Sequence, residues 1–593
     1  MKYIQSIMTA SILVLLSACG SSGSNNANNT ATSKPSENQT PENEPIVVES
    51  STIKIKLNQL GYLPNAQKIA IVPNVNSASF SVISTTTAQV VFEGTLSNAL
   101  TWSLAGNEQF KQADFSAFVQ PGTYKLSVAG VEDSAEFEIN ADVYSSLHDA
   151  ALKYYYFNRS SMALESTYAG EWARAAGHSD EQVKVHASGA STQRPALTVL
   201  PSAKGWYDAG DYGKYVVNSG ISTYTLLAAY EHFSMFYQNR DLNIPESNNK
   251  IPDILDEALW NIEWLATMQD QDGSVYHKLT TLDWPGIEMP NIDTRERFFI
   301  GKSTAAALNF AAVLSMASRI YQPFEDEFPG KSAQWLTAAE SAWRWAVENP
   351  NLAYQQPDDV NSGAYGDNHF DDEFAWAAAE LFITTQQESY LTTYFEKSGA
   401  QSVPSWANVA YLGTSTLLLQ GETYLNASDY QSVKTAQLAL ADSIISQYEN
   451  NHYAVAIVAS DFVWGSNGQV LNKAIVLLQA YRLSGDENYK AVALEHVNYV
   501  LGRNPTDYSF VTGYGDKPPM FPHHRISAAD GIVAPIPGML VGGPHSGRQD
   551  GCSYAHLEPA RSYLDDWCSF STNEVTINWN APLVYVLGAL LSE

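Results

Sequence analysis

Positive charge and cysteine are both scarce in this sequence. Lysine and arginine number 33 against 63 aspartates and glutamates, a formal net charge of −30. An excess of that sign excludes nucleic-acid binding and docking on anionic lipid through a basic patch, and it suits a neutral substrate better than a polyanion. Charged residues of both signs make up only 16% of the chain and hydrophobic ones 45%, so large cores can form and the chain is not a disordered one. There is no HExxH element and no cysteine–histidine ligand spacing, which makes zinc the weaker reading of any histidine cluster. What is plentiful is aromatic: 14 Trp and 33 Tyr offer flat faces suited to sugar rings, although most aromatics in any protein are core.

A length of 593 residues implies two or three folded units and a linker. Lys2 and the short apolar run Ile7 to Leu16, too short to span a bilayer, read as an export segment covering residues 1–18. The run ends in Leu16-Ser17-Ala18-Cys19-Gly20, which resembles the lipobox of bacterial lipoproteins. The resemblance implies cleavage before Cys19, diacylation of its thiol and, with Gly20 next, an outer-membrane address. Two acyl chains give stable anchoring. A plain secretory signal with a chance cysteine is the alternative, and the chain is exported on either reading. Cys552 and Cys568 then remain; an oxidising compartment favours a disulfide, while a reduced, buried pair stays open.

Residues 19–50 are Ser, Asn, Thr, Pro and Glu with almost nothing to bury, a tether. From 51 to 141 short alternating runs (Ile69-Ile71, Phe80-Val82, Val90-Phe92, Tyr124-Leu126-Val128, Phe137-Ile139) predict a small β-sandwich. From 142 to 593 the pattern turns helical, with helices beginning near Ser145, Tyr215, Pro252, Ser303, Ser332, Asp371, Trp406, Asp429, Val470 and Asn488, and a last one from Pro582 capped by Asn580. A long series of helices joined by Gly-, Pro-, Trp- and Asp-bearing loops suggests a large helical barrel with the site on its loops.

Three polar clusters interrupt this background. In Gly205-Trp206-Tyr207-Asp208-Ala209-Gly210-Asp211-Tyr212-Gly213-Lys214-Tyr215 two carboxylates lie on a tight aromatic loop before a helix. One can orient a water while the other takes its proton; an acidic helix start or a calcium loop are the alternatives. Pro522-His523-His524-Arg525 follows a Pro-Gly-rich loop and can hold sugar hydroxyls, pair a carboxylate or be structural. Glu574 sits among Tyr563, Trp567 and Phe570, where desolvation raises a carboxyl pKa as a general acid requires; an ion pair with Arg561 is the alternative.

Together, the aspartate loop, the segment Ser509 to Arg525 and the segment Tyr563 to Ala581 resemble the signatures of glycoside hydrolase family 9. Asn58-Gln59-Leu60-Gly61-Tyr62 resembles the immunoglobulin-like module that precedes the catalytic domain in one branch. The resemblance implies an all-α (α/α)6 barrel behind the sandwich. It also implies an inverting mechanism with Asp211 as general base, Asp208 holding the water and Glu574 as general acid. An inverting pair stands about 6.5–9.5 Å apart. His523 and Arg525 would bind sugar hydroxyls, with Trp464, Trp206 and Tyr563 as stacking candidates.

The chemistry needs no cofactor. The region of the family's structural zinc keeps His178 and His186 but has no cysteine, so zinc is not expected. A structural calcium at Asp372 and Glu373 is weakened by Asn408, where relatives place an aspartate. The expected partner is a β-glucan, cellulose-like or mixed-linkage, cut internally at β-1,4 bonds. An exo-acting cellodextrinase or exo-β-glucosaminidase, and a non-catalytic glycan-binding lipoprotein, are the alternatives.

Overall fold

Alternating burial pairs the first strands into two sheets. The computed structural model describes residues 54–592, so the export segment, Cys19 and the linker 19–50 lie outside the described residues. The larger sheet has the order Gly61–Tyr62, Phe137–Ile139, Gly122–Ser127, Ser79–Ser84, Val90–Thr95, and the smaller Ile69–Pro73, Glu108–Asp114, Leu100–Trp102. Val82 stands opposite Leu126 across the ladder, and Phe80, Phe115, Tyr124 and Phe137 join them in one apolar cluster with Val72 and Ala113 of the smaller sheet.

After this sandwich the described residues contain twelve helices of ten residues or more. Six are buried over most of their length: Val216–His232, Thr304–Tyr321, Asp371–Thr385, Ala410–Gln420, Ser466–Ser484 and Ile577–Leu591. Each packs on a partner, in turn Asp253–Thr267, Lys331–Glu348, Glu388–Lys397, Ala427–Glu449, Glu487–Val500 and Ser145–Phe157. Gly220 lets two buried helices close up, since a Cβ there would lie 2.3 Å from Asn309 Oδ1. Buried polar groups on these helices find partners across them. Tyr224 donates to the Leu412 carbonyl (2.8 Å), Tyr411 to Gln479 Oε1 (2.8 Å), and Gln479 Nε2 to the Tyr585 hydroxyl (3.3 Å).

Three sequence expectations are corrected. The last helix begins at Ile577 behind Thr576, and Asn580 lies inside it. Asn580 bonds the Ala151 and Gly538 carbonyls and accepts from Leu540 N, a tertiary anchor in place of a cap. The helix expected from Trp406 starts at Ala410. The helical region also holds a five-stranded sheet, ordered Val199–Leu200, Val183–Val185, Phe298–Lys302, Tyr276–Thr280, Lys214–Tyr215. Strands of two to five residues carry too few alternations to read. This sheet matters because Lys214–Tyr215 continues directly from the aspartate loop and fixes its exit.

The sandwich grips the helical part through the 58–62 turn. Asn58 Nδ2 donates to Asn498 Oδ1 (2.9 Å) and the Tyr144 hydroxyl (3.1 Å). Gln59 accepts from Lys517 N (2.9 Å) and donates to the Asp507 carbonyl (2.9 Å), so it braces the segment that leads to His523.

Candidate active site

The aspartate loop is held at both carboxylates. Asp208 is buried and accepts from Asn218 Nδ2 (2.6 Å) on the first turn of Val216–His232 and from the Tyr365 hydroxyl (2.7 Å). Asp211 Oδ2 accepts from Gly213 N (2.9 Å) and from the Tyr215 hydroxyl (3.4 Å). Gly210 is required by a close approach: a Cβ there would lie 2.2 Å from the His523 carbonyl oxygen. Through that approach Arg525 N (3.1 Å) and Nη1 (2.9 Å) both donate to the Gly210 carbonyl.

Glu574 comes to the same place from the far end of the chain. Ile577 N donates to the Asp208 carbonyl (2.9 Å), and Asn218 Nδ2 also reaches Thr576 Oγ1 (3.1 Å). His523 N donates to the Asn573 carbonyl (2.8 Å), pairing the histidine segment with the glutamate segment in a parallel bridge. Gly542 N donates to the Glu574 carbonyl (2.9 Å) from a third side. The backbone on both sides of Glu574 is thereby fixed against the aspartate loop. Arg561 is engaged elsewhere, with Glu108 and His556.

The Asp208, Asp211 and Glu574 carboxyls act on one another here. Burial pushes Glu574 up to about 8, the charges of Asp211 and Asp208 add to it, and Arg525 opposes. Burial also pushes Asp208 up to about 8, against the donors Asn218 and Tyr365. Asp208 receives two side-chain donors, which favour its anion, while a backbone bond from Gly210 acts in the same sense on Glu574. Asp208 and Glu574 are raised alike, so the coupled groups titrate together and share a retained proton.

Around the carboxyls stand polar and aromatic groups. His523 Nδ1 lies 2.7 Å from the Trp567 carbonyl, so it carries the hydrogen, and Nε2 is left as an acceptor. Burial lowers the His523 pKa and keeps the ring neutral. The ring stacks on Trp567 at 4.2 Å. Arg525 is clamped between Gly210 and the Pro285 carbonyl (3.1 Å), beside Trp284, which is 45% exposed. Trp464 is 41% exposed and backed by Phe570. Tyr563 packs on Tyr508 and Phe510 and donates to Asn573 Oδ1 (2.6 Å), next to Glu574. Trp206 must be withdrawn as a stacking residue: it is fully buried against Tyr155, because its loop turns the ring into the core.

The remaining residues singled out from the sequence have the following surroundings. Cys552 and Cys568 are joined in a disulfide. Asp372 Oδ2 accepts from Val409 N (2.8 Å), while Glu373 Oε2 and Asp367 Oδ2 are buried without a partner. Among the described residues no group of three or more His, Cys, Asp or Glu is arranged to hold a metal ion. His178 bonds the Tyr207 hydroxyl (2.8 Å) and faces Asp293, and His186 bonds Ser188.

Sequence reasoning missed Asn218 and Tyr365 and gave Tyr215 no role. Tyr365 arrives on a loop from outside every motif, at φ +46°, a backbone setting no local pattern announces. Asn218 carried a signal, since a buried-face asparagine on an apolar helix needs polar partners.

A model described as glycosyl hydrolase family 9 matches residues 144–587, and one described as a cellulase N-terminal ig-like domain matches residues 50–133. A xyloglucan-specific endo-β-1,4-glucanase of Bacteroides ovatus is 43% identical over 552 residues, spanning 90% of this chain and 93% of its own length. Endoglucanase D of Acetivibrio thermocellus is 36% identical over 548 residues, 91% of this chain and 83% of its own. Among solved structures, that of a Bacteroides ovatus GH9 protein aligns with a TM-score of 0.85 at 41% identity, covering 91% of this chain and 99% of that one.

Proposed function

This chain belongs to glycosyl hydrolase family 9, and from that premise we propose how its residues divide the work. The protein is an inverting glycoside hydrolase that cuts β-1,4-glucans internally. Asp211 is the general base: as an anion it takes the proton of a water beneath the sugar ring. Asp208, fixed by Asn218 and Tyr365, orients that water. Glu574 is the general acid and delivers its proton to the departing glycosidic oxygen. Attack from the face opposite the leaving group gives an α-product from a β-bond. His523 Nε2 accepts a hydrogen bond from a sugar hydroxyl, and Arg525 donates to another. Trp464 stacks on a ring of the bound chain.

The observation that carries this reading is the joining of two distant segments at one place: Asn218 and Ile577 tie Asp208 to the Glu574 segment, and the aspartates raise the acid's pKa. The alternation of six buried and six flanking helices supports an (α/α)6 barrel as the scaffold.

The substrate we propose first is xyloglucan, on the strength of the Bacteroides ovatus relative's name and the 43% identity. Comparing kcat/KM on xyloglucan, mixed-linkage glucan and carboxymethylcellulose tests it. Xyloglucan should lead with an early fall in viscosity; preference for an unbranched glucan would remove the xyloglucan assignment and leave the mechanism standing.

Two structural proposals accompany the chemistry. The buried, partnerless Glu373 Oε2 beside Asp372 would offer a hard cation such as calcium a pair of carboxylates, and the rest of its shell would have to come from water or backbone oxygens, since among the described residues no third acidic side chain is arranged with them. The Leu16 to Gly20 element supports acylation of Cys19 and an outer-membrane location. Cys19→Ser should move the protein from the membrane fraction to the soluble one, and retention in the membrane would refute the anchor.

Gly210→Ala is expected to displace the aspartate loop from the His523 carbonyl and cost about 10²-fold in kcat/KM, since a misplacement near 1 Å is enough. Steady-state assays beside a thermal melt check this. Full activity in the folded variant would show that the close approach is not needed.

A further inference from the structure

Lys278 lies fully buried on Tyr276–Thr280, directly opposite Tyr215 in the ladder. It makes no ion pair with a carboxylate among the described residues. Its ammonium donates instead to Gln356 Oε1 (3.1 Å), Ser362 O (3.2 Å), Ser362 Oγ (3.1 Å) and Gly363 O (2.6 Å). An ammonium taken so far from water is costly unless a charge answers it. Burial lowers its pKa to about 7, and the one charge that opposes the fall is Asp211.

The connection is also covalent and hydrogen-bonded. The Ser362 carbonyl that Lys278 binds belongs to the same peptide unit as Gly363 N–H. That N–H donates to the Tyr215 hydroxyl (3.1 Å), and the hydroxyl donates to Asp211 Oδ2 (3.4 Å). Every bond in this row points the same way. A cation on the carbonyl makes the N–H a stronger donor, which in turn makes the Tyr215 O–H a stronger donor to the carboxylate.

The other groups facing Asp211 do not supply this. Asp208 on its own loop and Glu574 on the acid segment are carboxyls and bring no positive charge. Tyr215 is neutral, and His523 on the histidine segment is kept neutral by burial. Arg525 donates to the Gly210 carbonyl, and its charge lowers both Glu574 and His523. On the side of the short sheet, Arg297, which donates to the Tyr212 carbonyl, and Lys214 are both paired with Asp180, so Lys278 is the cation there without a carboxylate of its own.

We propose that Lys278 is a positioning residue for the base: through the Ser362–Gly363 peptide and the Tyr215 hydroxyl it holds Asp211 in its anionic, proton-accepting form. The inference rests on the assignment of Asp211 as base. Its test is the pH dependence of kcat/KM for the full chain on a soluble β-glucan, measured for wild type, Lys278→Met and Tyr215→Phe, with circular dichroism and a melt for each. Loss of the cation or of the hydroxyl destabilises the anion, so the acidic limb should move up by about 0.5–1 pH unit in both variants. A folded Lys278→Met with its acidic limb at the wild-type position overturns the inference. Should Lys278→Met fail to fold, Tyr215→Phe decides, because it keeps the lysine's own bonds; an unmoved limb there overturns it equally. Asp211→Asn run alongside separates the two claims: wild-type turnover in that variant would topple the base assignment itself, whereas an inactive Asp211→Asn with unmoved limbs would topple only the role of Lys278.

Discussion

Glu574→Gln is expected to lower kcat on an unactivated β-glucan by about 10²–10⁴-fold while oligosaccharide affinity stays nearly unchanged. Glutamine keeps the shape, the bond from Gly542 N to its own carbonyl and the flanking bonds of Asn573 with His523 and of Ile577 with Asp208, but has no acidic proton to give. A substrate whose leaving group is 2,4-dinitrophenolate departs without protonation, so the variant should lose far less on it. The pH profile gives a second reading. The folded pKa of Glu574 is raised to about 8, so the protonated, active form is present below that value and is lost as pH rises through it. The alkaline limb of wild-type kcat/KM should therefore lie near pH 8 on the macroscopic scale of the coupled carboxyls, and it should disappear in Glu574→Gln. Wild-type turnover of the glucan by this variant would end the assignment of the acid.

Asp211→Asn should cost a similar 10²–10⁴-fold, with a different signature. Because the base acts on the attacking water, the loss should be as large for the dinitrophenyl substrate as for the glucan. Azide needs no deprotonation, so it should restore part of the turnover and yield an α-glycosyl azide. A variant that responds to the better leaving group and ignores azide would place Asp211 outside the attack step.

The residues that do chemistry were legible because they cluster in sequence: Asp208 with Asp211, His523 with Arg525, Glu574 among aromatics. So were most helix starts, since a run such as Val217, Ile221, Tyr224 and Ala228 repeats at the helical period. What sequence did not show was set by tertiary contact. Asn580 looked like a cap beside Pro582, and it instead ties three separate segments together inside the helix. Trp206 looked like a sugar platform, and the loop geometry spends it on the core. Tyr365 reaches Asp208 from a loop, and Lys278 lies opposite Tyr215 on a short strand, and neither segment has a periodicity of its own.

The most direct test is the anomeric configuration of the first products, followed by proton NMR as the chain lacking residues 1–50 hydrolyses cellopentaose. Water activated by Asp211 opposite a leaving group protonated by Glu574 must give the α-anomer at each new reducing end before mutarotation sets in. Early β-anomer would contradict that arrangement of base, water and acid.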